Sequence, residues 1–159
     1  MGTKKQAQPI VRELAETHKQ HFVTDRWLGG MLTNLKTVKQ RLKRLKEIEA
    51  MEEDGSIAGY VKQEQASIRR EKQRLVKNLG GIRHMDSTPD AMFVVDIKRE
   101  HNAIAEARKL RIPIVALVDT NCDPELVDYP IAGNDDAIKA IQVIADAIGE
   151  TITEAKGIQ

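Results

Sequence analysis

Asp25-Arg26-Trp27-Leu28-Gly29-Gly30-Met31-Leu32-Thr33-Asn34 opens the run on which the fold turns. Two adjacent glycines permit positive φ or a close backbone approach, so Trp27 to Gly30 is expected to be a turn. Beyond it the apolar positions Leu35, Val38, Leu42, Leu45, Ile48 and Met51 recur at steps of three and four. That spacing belongs to an amphipathic helix with a narrow seam. Lys36, Lys39, Arg41, Lys43, Arg44 and Lys46 occupy the other faces. Asp54-Gly55-Ser56 breaks the pattern, and a second helical stretch, with Val61, Ile68, Leu75 and Leu79 as its seam, closes at Gly80-Gly81. Residues 33–80 are therefore expected to form an inserted coiled-coil hairpin, protruding from a body made of residues 1–32 and 81–159.

The body carries a different pattern. Ala91-Met92-Phe93-Val94-Val95-Asp96 is an apolar run ending in an acid, as in a buried parallel strand. Asn102 to Leu110 is a short helix. Ile112 to Asp119 is a second buried strand, with Pro113 tolerated at its entry, and Val127 to Ile131 is a short edge strand limited by Pro130. Asn134 is placed to cap a final helix whose inward face is Ala137, Ile138, Ile141, Ile144, Ala145 and Ile148. Near the start, Thr3 is a plausible helix cap, Pro9 sits early in that helix, and Ala7, Ile10, Val11, Leu14 and Ala15 form its apolar face up to about His18. Phe22-Val23-Thr24 is short and β-prone and is expected to be a strand. Strand–helix alternation of this kind predicts a three-layer parallel α/β domain with right-handed crossovers. A chain that begins directly with a helix is unusual for such a domain, where a strand normally comes first.

The chain of 159 residues is long enough for one domain with a real core, and at 41% hydrophobic and 31% charged it has the composition of a globular protein. Aromatics are only 3%, so the core must be aliphatic and few rings are available for stacking on bases or sugars. The net charge of +1 conceals an asymmetry: Lys36 to Arg83 carries +6 and the remainder −5. One element thus suits a polyanion while the body faces water. Cys122 is the only cysteine, which excludes an internal disulfide and a cysteine zinc cage. A reducing compartment follows. No apolar run reaches the roughly 18 residues of a membrane span, and the first residues hold no apolar signal core.

Two constellations could carry chemistry. Asp96 and Asp119 end parallel strands, and Asp135 and Asp136 follow a third, where open α/β sheets bind ligands. Such acids could hold Mg²⁺ in a phosphoryl or sugar-phosphate enzyme. They could equally cap loops, and no phosphate-binding or nucleophile motif accompanies them. The four histidines show no ligand spacing. Acids around Cys122 should raise its pKa, against a nucleophilic role. The basic hairpin is the second constellation. Lysines and arginines along a rigid arm neutralise phosphates by shape, which suits structured RNA. The candidate contacts are Lys36, Lys39, Arg41, Lys43 and Arg44 on the first arm, and Arg69, Arg70, Arg74 and Lys77 on the second. Arg26, Trp27, Gly29 and Gly30 would form the root, where backbone N–H groups could approach a phosphate or Trp27 could simply plug the base of the arm. Other readings of the hairpin are an ordinary solvated coiled coil and an adaptor that binds another protein's helices.

Gly2-Thr3-Lys4-Lys5-Gln6-Ala7, Arg26 to Asn34, Asn78 to Ile82, Pro89 to Asp96, Glu106 to Leu110, Val118-Asp119-Thr120-Asn121-Cys122-Asp123-Pro124 and Gly133 to Ile138 cover nearly the whole chain in order. In these stretches it closely resembles the bacterial-type small-subunit ribosomal protein two family. The resemblance implies a flavodoxin-like three-layer α/β domain with a protruding coiled coil, and a non-catalytic constituent of the small ribosomal subunit. It implies rRNA bound between head and body, contact with neighbouring small-subunit proteins, and support for the first, mRNA-capturing one. It also implies a cytoplasmic, ribosome-bound life without membrane or cofactor. A structural Mg²⁺ would draw on Asp119, Asp135 and Asp136. Family members carry a segment with a strand before the stretch matching Gly2-Thr3-Lys4-Lys5. This chain is thus expected to be shortened at its N-terminus, to lack a neighbour for the Ala91–Asp96 strand, and to be less stable than a full-length member.

Overall fold

The computed structural model describes residues 1–157. Helices α1 (Gln8–Thr17), α2 (Leu35–Glu53) and α3 (Lys62–Leu79) come first. Strand β1 (Met92–Val95), helix α4 (His101–Lys109), strands β2 (Ile114–Val118) and β3 (Tyr129–Ala132) and helix α5 (Ile138–Lys156) follow. The three strands form one parallel sheet in the order β1-β2-β3, with Val94 opposite Ala116 and Ala116 opposite Pro130. Pro130 lacks an N–H, and its place on the outer strand keeps that loss out of the middle of the sheet.

The period of two along each strand divides the core into layers. Val94 of β1 and Ile114, Ala116 and Val118 of β2 face a cluster that includes Ile104 and Ala107 of α4. Val95 and Leu117 face the opposite way, onto Ile10 and Val11 of α1 and Ile141 and Ala145 of α5. The α4 cluster also takes in Met31, Leu32, Val38, Leu42 and Leu79, so the root of the α2–α3 pair shares the core of the sheet. Further along, α2 packs mainly against α3 and the 3₁₀ turn Ser56–Gly59. Leu45 and Ile48 are fully buried there. Arg44 pairs with Glu71 at 3.1 Å and Glu52 with Lys72, which ties the two helices together.

Beside β1, on the side away from β2, lie Met1 and Gly2. The Met1 amino group donates to Phe93 O at 2.8 Å, and Val95 N donates to Met1 O at 3.0 Å. Gly2 N in turn donates to Val23 O. Burial lowers the amino pKa to about 6, against the pull of Glu100.

Several local expectations are corrected. Thr3 caps no helix: its N–H and hydroxyl both go to Glu100, and α1 starts five residues later with no side-chain cap. Phe22 to Thr24 forms no strand. It has single backbone bonds to Gly81 and Gly2 but no ladder. Asn134 closes a turn onto the N–H groups of Asp136 and Ala137, and α5 begins only at Ile138. Ile138 is consequently 60% exposed, and the inward face starts at Ile141. Val61 is exposed because its extended backbone lies outside α3; the apolar group buried at that end is Ile57.

Candidate nucleic-acid interface

The root of the arm is organised by a residue distant in sequence. Glu106 projects from α4 into the Trp27–Thr33 loop. One carboxylate oxygen accepts from Trp27 Nε1 at 2.5 Å and Gly30 N at 3.2 Å. The other accepts from Leu32 N and Thr33 N, both at 3.2 Å, and from Thr33 Oγ1 at 2.9 Å. Burial works to raise the Glu106 pKa, but the bonds from Trp27, Thr33 and Leu32 outweigh it and hold the group below its ordinary value. Gly30 takes φ +87°, which lets Asn34 N donate to Gly30 O at 2.7 Å. Asn34 then caps α2 through Thr37 N. The loop donors of Trp27 and Gly30 are thus already engaged by the protein's own carboxylate, so a phosphate there would have to displace it. Gly29 and Arg26 are exposed.

The close approach at the other end of the arm is made at Gly81. A Cβ there would stand 2.1 Å from Phe22 O. Only glycine permits this contact between the segment leaving α3 and the segment leaving α1.

The candidate cations of the arm fall into two groups. Arg44 is turned inward to Glu71 and also lies 3.8 Å from Glu47, and Lys77 reaches to 4.0 Å from Asp25. Lys36, Lys39, Arg41, Lys43, Arg69, Arg70 and Arg74 are exposed and, among the described residues, take part in no ion pair. With about 3.6 residues per turn, Lys36, Lys39 and Lys43 line up on the side of α2 opposite Val38, Leu42, Leu45 and Ile48. Arg70, Arg74 and Lys77 line up opposite Ile68, Leu75 and Leu79 on α3. Arg69 faces instead an open cleft of about 820 Å³ between α3 and α1.

At the strand ends, the acids have other occupations. The Lys4 ammonium lies 3.2 Å from Asp96, 3.1 Å from Asp135 and 2.5 Å from Asp136. Desolvation opposes the Lys4 charge, yet these three partners hold its pKa above the ordinary value. Asp119 accepts from Thr120 N and Asp135 N, which lowers its pKa. Asp135 is raised by burial and by the charges of Asp96 and Asp119, with Lys4 pulling the other way. Carboxylate oxygens of Asp119, Asp135 and Asp136 converge within 4.8 Å, and the cation seated against Asp135 and Asp136 is Lys4. Cys122 lies alongside, its thiol pushed up chiefly by burial.

Comparison with known proteins places the chain in a family. The family model described as ribosomal protein S2 matches residues 1–155. The chain belongs to the ribosomal protein S2 family. It is 52% identical over 159 residues to the small ribosomal subunit protein uS2 of Campylobacter fetus subsp. fetus (strain 82-40). That match covers 100% of this chain, and the chain spans 62% of the length of that relative. Membership in a family of ribosomal proteins lends no support to the alternative of a phosphoryl or sugar-phosphate enzyme built on Asp96, Asp119, Asp135 and Asp136. Among the described residues, no helix is long and apolar enough to cross a membrane.

The residues that sequence reasoning missed are Glu106 and Lys4. Glu106 lies within a stretch that matches the ribosomal protein S2 family, but nothing local ties it to a loop more than seventy positions away. Lys4 looks like an ordinary surface lysine beside Lys5. The one available signal was chemical: acids gathered at strand ends are eased by a cation, and Asp96, Asp135 and Asp136 share Lys4.

Proposed function

We propose that this chain is a structural, non-catalytic constituent of the small ribosomal subunit, holding rRNA through the outward cations of the α2–α3 arm. Residues 33–80 act as a coiled-coil arm, and the sheet domain is its platform. The observation that carries this reading is the set of exposed arm cations without internal partners, Lys36, Lys39, Lys43, Arg70 and Arg74 above all. A cation already paired with a carboxylate gains little from a phosphate, whereas an unpaired one displaces condensed counterions on contact. Glu106 and the glycine turn act as the clamp that fixes the arm's angle. The partners are small-subunit rRNA between head and body and neighbouring small-subunit proteins, including the first, mRNA-capturing one. The setting is the ribosome in the cytoplasm.

The test is sedimentation of the chain with small subunits depleted of their own copy of this protein, at low and high salt. Co-migration that weakens with salt, and is lost in a Lys39→Glu/Lys43→Glu/Arg70→Glu/Arg74→Glu variant, is the expected result. Equal co-migration of variant and wild type with no salt dependence would refute the arm as the RNA contact.

A further inference from the structure

The two outward stripes point in opposite directions. The seam of α2 is turned to α3 and to the Ser56–Gly59 turn, and α3 turns Ile68, Leu75 and Leu79 toward α2. Lys36, Lys39 and Lys43 lie on the far side of α2, and Arg70 and Arg74 on the far side of α3. Two helices packed face to face separate these stripes by roughly 20 Å, two helix diameters of about 10 Å each. A single rigid RNA surface cannot lie against both.

Three acids of the arm are turned away from the stripes. Glu71 faces Arg44, Glu52 faces Lys72 and Glu49 faces Arg83, inside the pair or at its root. Glu47 is exposed on the α2 side, where it lies 3.8 Å from Arg44. Among the described residues no carboxylate pairs with Lys36, Lys39, Lys43, Arg70 or Arg74; Lys77, at the root end of the α3 stripe, lies 4.0 Å from Asp25. An arm that met RNA on one side alone would need only one such face, and its other side would ordinarily mix both signs of charge.

We propose that the arm is a two-sided spacer, which binds one RNA segment on its α2 face and a second RNA segment on its α3 face and so holds the two apart at a fixed distance. The inference rests on the RNA-binding reading above and adds the number and placement of the RNA segments. Each face offers a short row of cations about 6 to 10 Å long, at about 1.5 Å of rise per residue. That suits neighbouring phosphates of one backbone, and recognises shape rather than sequence.

The experiment uses the full chain and two samples of one short, blunt RNA duplex, labelled with a donor and an acceptor dye and kept in excess over protein. Anisotropy reports binding and energy transfer reports bridging. The wild type should raise both, with two duplexes per chain. Lys36→Glu/Lys39→Glu/Lys43→Glu should abolish transfer and retain one duplex, and so should Arg70→Glu/Arg74→Glu. The two sets combined should remove binding. Glutamine in place of glutamate should give the same order with smaller losses, and circular dichroism should be unchanged throughout. Binding without energy transfer in the wild type overturns the two-sided spacer while leaving the RNA reading intact. So does complete loss of binding from either single-face variant. Anisotropy that does not rise for the wild type overturns both.

Discussion

Glu106→Gln removes one negative charge and exchanges an acceptor oxygen for an NH₂ donor, at a point where five donors converge. The remaining amide oxygen can serve only one side. If it keeps Leu32 and Thr33, the new NH₂ confronts Trp27 Nε1 and Gly30 N, donor against donor. If it flips, the Leu32 and Thr33 groups are stranded instead. Hydrogen bonds to a charged acceptor are worth about 1.5–3 kcal/mol each. The Thr33 pair is exposed and recovers most of its loss in water. The other three donors are part-buried, and bonds to one carboxylate do not add. The expected cost is about 2–3 kcal/mol for glutamine and about 3 kcal/mol for alanine. Aspartate, one methylene shorter, should not rescue either.

Trp27 is the only tryptophan, so its fluorescence reports the site directly. Urea unfolding followed by Trp27 emission and by far-UV circular dichroism should show the midpoint fall, with the native emission of the variant shifted to longer wavelength. The charge has a pH signature too. The folded Glu106 pKa lies below its ordinary value, so its contribution is complete above about pH 5. It is lost as pH falls through the depressed folded value, and the variant's acid limb should be shallower there. A loss under about 0.5 kcal/mol with unchanged native emission would refute the clamp.

Two further outcomes follow from the same geometry. Gly81→Ala should cost about 2–4 kcal/mol, because the 2.1 Å approach is to the Phe22 carbonyl, which cannot rotate away; urea midpoints equal to wild type would contradict it. Lys4→Met should cost about 2–4 kcal/mol at neutral pH by leaving Asp96 and buried Asp135 without their cation, with the exposed Asp136 adding little. Adding Asp135→Asn should restore part of the loss, and strict additivity of the two would count against the coupling.

What was legible in the chain depended on whether a partner was local. The cores of β1 and β2 could be read because a buried parallel strand is apolar on both faces, and Val94, Val95, Ala116 and Leu117 satisfy two different layers at once. Phe22 to Thr24 has the right residues and no ladder, because strand formation needs a neighbour in register and Gly81 and Gly2 supply only single bonds. The seam of α2 was readable from its period, and so was the face opposite it. The pairing of Arg44 with Glu71 was not, since it depends on how far α3 is staggered along α2, which no period records. The same limit hid the two residues that most constrain the site. A turn rich in N–H donors was expected either to approach a phosphate or to be plugged by Trp27, and a gathering of strand-end acids was expected to receive either Mg²⁺ or nothing beyond loop caps. The structure supplies groups of the chain itself at both places, a carboxylate at the turn and an ammonium at the acids, and leaves Lys36, Lys39, Lys43, Arg70 and Arg74 as the arm cations that, among the described residues, no carboxylate pairs with.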